Sequence, residues 1–311
     1  RDNAGVMQWK NASGGWNNFS TKVDHIINVA KSGGDFDNLE DAVAFANGVD
    51  YDTIINIYPG VYDVSSTLVV TSTHIKSIRG MSTEAVMIRP TTDLVSSPGP
   101  IFEINFSEEN DFSIRLLTID GSQTVGFRNT SGCDAIRVSN TGSVWMDFSE
   151  LVIIDTETGI NMQVANLLNI FKSDFYNIGN IGVNLDNGAA AQVENVYMEN
   201  VENRFVHLKS TTGSSSFYMV GSEFGSNSDL GTGLFIEGNG SYAEIRYSNM
   251  WGLDYNIITN DDSATKVTAS YLQKAATLNI DQKDSSSINI SSSDGAFSSA
   301  DISINNPANV Y

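Results

Sequence analysis

Between residues 29 and 64 the spacing of apolar positions changes twice. VAKSGGDFDNLEDAVAFANGVDYDTIINIYPGVYDV reads as strand, loop, amphipathic helix, strand, tight turn, strand. Leu39, Ala42, Val43 and Ala46 fall on one helical face. Asp37 and Glu40 have capping-box spacing and Asn47-Gly48 supplies a stop, which places the helix at about 38–47. No other stretch carries a convincing helical period; the rest of the chain reads as short strands. The expected role of this one helix is to cover the open end of a long β structure, since an exposed sheet edge invites pairing with other chains.

From Ile136 onward a repeat can be counted. Apolar residues open short strands at Ile136, Ile160, Val183, Val206, Phe235, Ile258, Ile280 and Ile302, at intervals of 24, 23, 23, 29, 23, 22 and 22. Four residues after these anchors Asn or Asp stands at Asn140, Asn187, Asn239, Asp262, Asp284 and Asn306, residue types that tolerate left-handed turns. A second series runs through Ser149, Ser173, Tyr197, Ser222, Ser248, Ser270 and Ser292. A helix-free repeat of this length, without leucine-rich or propeller signatures, predicts an all-β parallel solenoid of roughly ten coils stacked about 4.8 Å apart. Insertions are expected within 121–132 and 211–233, projecting as loops.

The two ends differ from this body. Residues 1–28 place Trp9 and Trp16 on either side of Asn-Ala-Ser-Gly-Gly, which predicts a hairpin. Two readings stand side by side for it: packing on the first coil, or an attachment and trimer-contact segment. The division is therefore 1–28 and a solenoid domain over 29–311. The last coils, DSSSINISSSDGAFSSADISINN, are thin in large apolar residues and no second amphipathic segment follows.

The run VAKSGGDF, followed by DAV and then by IINIYPGVY, resembles the opening of pectin-lyase-like right-handed parallel β-helix proteins. In that group a Gly-Asp loop, a capping helix and a strand ending in Pro-Gly-x-Tyr form the first coil. The resemblance implies an all-β, right-handed parallel β-helix with an N-terminal capping helix. It does not imply one activity, because the group spans lyases, hydrolases, viral tailspikes and adhesive stalks. The hairpin before the helix is similar to segments that precede the body of phage tail fibres and spikes.

Charge narrows the partners. Against 17 Lys and Arg stand 37 Asp and Glu, a formal net charge of −20 among 311 residues. No basic stripe suits nucleic acid, anionic membranes and polyuronates are disfavoured, and no apolar run is long enough for membrane insertion. The single cysteine, Cys133, excludes an internal disulfide and reads as a packed thiol.

Candidate chemistry falls into two classes. Glu150, Asp174 and Glu223 each follow a member of the serine series by one residue. Glu150 and Asp174 belong to adjacent coils, so their carboxyls are placed about 5 Å apart, near the separation of a retaining glycosidase pair; an acidic solvated face is the simpler reading. The Gly-His-Gly and Arg-x-Lys motifs of polygalacturonases are missing, and Asp261-Asp262 stands alone. His25, His74 and His207 form no metal spacing and read as surface or strand-end residues. The acidic loops GGDFDNLED and TNDDSAT leave Ca²⁺ at a turn open, without EF-hand spacing. Tyr218, Tyr242, Tyr247, Trp251 and Tyr255 gather in two repeats and suit stacking on sugar rings. The leading expectation is a fibre or tailspike-type adhesion module, extracellular or on a virion, binding a cell-surface glycan as a homotrimer without cutting it. The alternatives are a polysaccharide hydrolase or lyase and a secreted bacterial adhesin.

Overall fold

The computed structural model describes residues 2–3, 6–10, 16–18, 25–139, 144–164, 166–210, 213–228, 231–238, 240–260, 263–268, 270–272, 278–282, 286–291 and 302–304. Residues 25–304 wind into a parallel β-solenoid of about nine turns with three strand faces. The first face is a ten-stranded sheet running from Leu68–Val70 to Ile302–Ile304. The second runs from His25–Val29 to Ser287–Ser291, and the third from Gly60–Val64 to Tyr271–Leu272. The 11-residue strands Asn110–Asp120 and Val144–Ile154 turn the corner between the second and third faces without a break.

Parallel stacking places like residues above one another. On the ten-stranded face the inward row is Leu68, Phe102, Ile136, Ile160, Val183, Val206, Leu234, Ile257 and Ile280. Leu234 and Ile257 thus replace the expected anchors Phe235 and Ile258. The intervening coil carries 28 residues from Val206 to Leu234, so a count made through it slips by one and points to the opposite face. Its additional residues fall in the turns on either side of Ser216–Val220 and Glu223–Gly225. In the other insertion a single 3-10 turn, Phe127–Asn129, sends Phe127 into the core.

The corner between the second and third faces explains the serine series. Leu116, Glu150, Lys172, Asn195, Gly221 and Tyr247 occupy the bend with φ between 48° and 59°. Inside it, Ser173, Ser222, Ser248 and Ser270 are buried. Each hydroxyl accepts from a backbone N–H of the preceding coil, Leu151, Val196, Ser222 and Ser248 respectively, at 3.1–3.3 Å. Each also donates to the carbonyl two residues back. The left-handed residue takes the strand out of register for one peptide, and the hydroxyl satisfies the N–H that would be orphaned there. Ser149 and Tyr197 are not members: Ser149 stands in register with Phe171, and Tyr197 with Asp174. Among the residues expected in turns, Asn187 has φ 52°, and two coils on, its stack continues with Gly238 rather than Asn239. Asn140, Asn239, Asp262, Asp284, Ser292 and Asn306 lie outside the described residues.

The capping helix spans Leu39–Asn47 and buries Leu39, Ala42, Val43 and Ala46, the face read from sequence. Its N-cap is Asn38, whose side chain accepts from Asp41 N at 2.8 Å, one residue beyond the expected Asp37. The helix takes the place of one more strand on the ten-stranded face. Asn47 Nδ2 donates to Val69 O at 2.7 Å, and Asn47 Oδ1 accepts from Thr71 N and Ser72 N at 2.9 and 3.1 Å. Glu40 Oε1 accepts from Ser65 N at 2.8 Å. Side chains of the helix therefore supply the ladder bonds that the first coil lacks. A second helix, Thr92–Ser96, escapes a periodicity reading because its five residues bury only Leu94.

In the N-terminal segment Val6–Lys10 pairs antiparallel with Trp16–Asn18, as the hairpin reading requires. The side chains of Trp9 and Trp16, and residues 305–311, lie outside the described residues. Cys133 is buried, its Sγ 3.7 Å from Leu94 O, and burial pushes the thiol up to about 11. No helix among the described residues is long and apolar enough to cross a membrane.

Two substitutions test the cap. Leu39→Ala is expected to cost about 2–5 kcal/mol, and Asn47→Ala about 1–3 kcal/mol through unsatisfied backbone groups. Chemical denaturation reads both; the Asn47 variant should also associate end to end in light scattering, because it uncovers strand edges.

Candidate functional site

The residue after each inward anchor lies on the outer side of the sheet, and on the ten-stranded face this row reads Glu103, Arg137, Asn161, Asn184, His207, Phe235. Stacking links its amides into a chain: Asn184 Nδ2 donates to Asn161 Oδ1 at 3.1 Å, and Asn161 Nδ2 to Asp134 Oδ2 at 3.1 Å. A parallel chain runs beside it from Asn203 Nδ2 to Asn180 Oδ1 at 2.9 Å, then from Asn180 Nδ2 to Glu157 Oε1 at 2.7 Å. Both chains end on carboxylates. Asp134, 1% exposed, pairs with Arg137 at 2.8 Å. Burial holds the Glu157 carboxyl above its usual range, against donors from Asn180 and Thr158 and with Asp134 adding to the rise.

Because the amide donors are spent toward Asp134 and Glu157, acceptors are left at the other end. Asn184 Oδ1 and Asp186 Oδ1 are shielded from solvent without a partner among the described residues. They line a groove of about 500 Å³ with Asn180, Ile181, Asn203, Arg204, His207 and Lys209. Burial pushes the Asp186 carboxyl up, partly countered by Asn184 and Lys209.

His207 is the rigid element of this groove. It is 4% exposed, with Nε2 2.9 Å from Glu237 Oε1 and the Arg204 guanidinium 3.2 Å from Nδ1. Burial, then the charges of Arg204 and Lys209, depress its pKa to about 3, so the Glu237 contact is a hydrogen bond from a neutral ring rather than an ion pair. A proton on Nε2 with an accepting Nδ1 satisfies both neighbours. Arg204 Cζ lies 3.9 Å above the Phe235 ring, which meets His207 edge-on at 5.4 Å. The surface reading of His207 is thus corrected: stacking packs it between Asn184 and Phe235.

The candidate carboxylates Glu150 and Asp174 do not share a row. Glu150 is the exposed corner residue, φ 55°, in the bend stack beside Lys172, whereas Asp174 stands in register with Val152. Asp174, Tyr197 and Glu223 form one row of the third face, so Tyr197 separates the two carboxylates. Glu223 Oε1 accepts from Trp251 Nε1 at 2.6 Å, and burial raises Asp174. The aromatic set is also divided. Tyr218 and Tyr242 lie together on the second face with ring centroids 6.0 Å apart, and Tyr247 protrudes at the corner. Trp251 lies flat over Gly225 on the third face, where a Cβ on the glycine would come within 2.1 Å of the indole. Only Tyr255 belongs to the ten-stranded face, two coils from Arg204 in the same row.

In the acidic GGDFDNLED loop, Asp35 accepts from Asn28 N at 2.7 Å and Asp41 from Asn38 Nδ2 at 2.8 Å, so both serve the first coil. Asp261 and Asp262 lie outside the described residues. No group of three or more His, Cys, Asp or Glu converges on a metal position among the described residues.

No family model and no curated protein matches this chain. Solved structures do. A pectin methylesterase in complex with a hexasaccharide aligns at TM-score 0.53 and 14% identity, over 91% of this chain and 93% of the other. A PL6 family alginate lyase aligns at 0.57 and 11%, over 94% of this chain and 47% of the lyase. The catalytic domain of a GH87 α-1,3-glucanase in complex with nigerose aligns at 0.53 and 9%, over 92% and 68%. The chain has the pectin-lyase-like right-handed parallel β-helix fold. At these identities the likeness shows the fold alone.

His207 makes stability depend on pH. An unfolded histidine titrates near 6.5 and the folded ring near 3, so between these values the unfolded state binds the extra proton. Stability therefore falls on acidification below about pH 6.5, by up to about 1.4 kcal/mol per pH unit. The raised Glu157 and Asp186 act in the opposite sense but cancel in a comparison of variants. His207→Gln is expected to flatten the fall in melting temperature between pH 7 and 5 relative to the parent.

Proposed function

We propose that this β-helix binds a cell-surface glycan along the polar groove without cleaving it, as a fibre or tailspike-type adhesion module. The observation that carries the reading is the groove between Asn184 and Lys209. There, Asn184 and Asp186, each with one unpaired acceptor oxygen, line the groove beside the Lys209 and Arg204 cations, on a scaffold tied by amide chains. Adjacent donors and acceptors on a rigid surface suit hydroxyl pairs of a sugar, with little ordering cost on binding. The carboxylates around the groove support binding over cleavage: Asp134, Glu157 and Glu237 accept bonds from Arg137, Asn180 and His207. A hydrolase needs a protonated acid and an ionised partner at fixed separation, and binding is favoured here because Glu150 and Asp174 stand in different rows.

Assembly as a homotrimer, with residues 1–28 as contact segment, and a place outside the cell or on a virion complete the proposal. The acidic surface favours solubility there and disfavours nucleic acid and anionic membrane. Structural neighbours of the same fold act on polysaccharides by their names, which makes a glycan the natural ligand to test first.

The protein is expected to bind host-surface polysaccharide in isothermal calorimetry and to release no reducing ends from it. Replacing both Asn184 and Lys209 by Ala should weaken binding at least tenfold, about 1.4 kcal/mol. Appearance of oligosaccharide products would turn the reading toward an enzyme. Sedimentation should give a mass near three times 33.7 kDa.

A further inference from the structure

The second face carries a trough separate from the polar groove. Asp111, Trp145, Leu167, Ala190 and Ser216 form one outward row, and Ser113, Asp147, Asn169, Gln192 and Tyr218 the next. A third row contains Arg115, Ser149, Phe171 and Glu194. Two cavities of about 470 and 510 Å³ share Ser113, Trp145, Asp147 and Asn169, and so form one continuous depression.

Trp145 is 51% exposed and stands next to Leu167, itself exposed, beyond which the row falls away to Ala190 and Ser216. An exposed indole above a polar floor presents a flat apolar face on which a ring can stack, next to groups that can hydrogen-bond its substituents. The floor is ordered: Asn169 Nδ2 donates to Asp147 Oδ1 at 2.8 Å, fixing both side chains. Beside them Arg115 Nε, shielded from solvent, has no acceptor among the described residues. Arg115 nevertheless lines the trough, where the outer part of its guanidinium can donate to a ligand oxygen.

Charge selects the ligand class. Asp111, Asp147 and Glu194 outnumber Arg115 and Lys76 in the trough, within a molecule of net charge −20. Lys76 is already occupied by Thr73 O and Asn110 Oδ1 at 2.7 and 2.8 Å. An anionic chain would be repelled, whereas neutral hydroxyls can accept from Arg115 and donate to Asp147. The rows from Asp111 to Ala190 span three coil steps, roughly 14 Å, the reach of a short oligosaccharide.

We infer that the Trp145 trough is a second carbohydrate site, for a neutral hexose chain lying along the solenoid axis with one ring stacked on the indole and an oxygen held by Arg115. It lies on a different face from the polar groove. Only the premise of a glycan ligand is shared with the proposed function.

The test uses the full chain and a panel of neutral gluco-, manno- and galacto-configured hexasaccharides with polyuronate hexasaccharides of equal length, read by calorimetry and tryptophan fluorescence. At least one neutral probe is expected to bind and to perturb the fluorescence. Trp145→Ala should weaken it tenfold or more with the melting temperature unchanged, because the side chain is exposed; Trp145→Phe should fall between. In the Asn184→Ala, Lys209→Ala double variant binding at the polar groove should fall, while the tryptophan fluorescence change on adding that neutral probe remains. Equal binding by the Trp145→Ala variant, binding confined to polyuronates, or no neutral ligand at all would overturn the inference. Loss of glycan binding in the Asn184 and Lys209 variant alone would leave the polar groove standing and remove the trough.

Discussion

In-register parallel stacking is the constraint on which the rest of this molecule depends. Each coil hydrogen-bonds to the one before it about 4.8 Å away, so every side chain stands above a fixed counterpart. Interior rows fill with branched aliphatics and phenylalanines, and exterior rows become lines of like or complementary chemistry. The first coil has no coil before it, so its strand edge needs another partner. There Asn47 and Glu40 hand hydrogen bonds from a helix to the ladder. A surface that would otherwise template strand addition is thereby closed.

The corners show how the stack turns without losing polar satisfaction. A left-handed residue bends the strand, and the buried serine below it bonds both its own coil and the preceding one. The same stacking builds the groove on the ten-stranded face. Asparagines one coil apart bond donor to acceptor in a single direction, so partners are consumed at the Asp134 and Glu157 end and acceptors remain at the Asn184 end. Polarity of the groove is thus a consequence of repeat geometry, not of any one residue. His207, held neutral between Arg204 and Glu237, stiffens its floor.

The three faces then differ in what they offer. The ten-stranded face presents amides and paired charges, the second face a tryptophan above a mixed polar floor, and the third an aromatic and acidic row in which Trp251 is bonded to Glu223. A solenoid separates such surfaces by construction: neighbours in sequence diverge around the coil, while residues about 23 apart converge. Recognition built this way favours extended ligands lying along the axis.

The sequence by itself determined what depends on local spacing. The buried face of the helix at Leu39, Ala42, Val43 and Ala46, the approximate period, the hairpin and the all-β solenoid were all legible, because each follows from residues within one turn, strand or repeat. Register was not. The 28-residue coil shifted the anchors to Leu234 and Ile257, and the bend at Glu150 displaced it from Asp174. A one-residue slip reverses inside and outside, and the strand Arg204–Lys209 breaks strict alternation by burying both Phe205 and Val206, so the partners of Arg204 and His207 follow from stacking alone. The grouping of Tyr218 through Tyr255 was undone by the same fact, since contiguous aromatics spread over several faces. Tertiary structure alone decided which side chains share a groove, because contacts between coils depend on summed turn lengths that no single segment encodes.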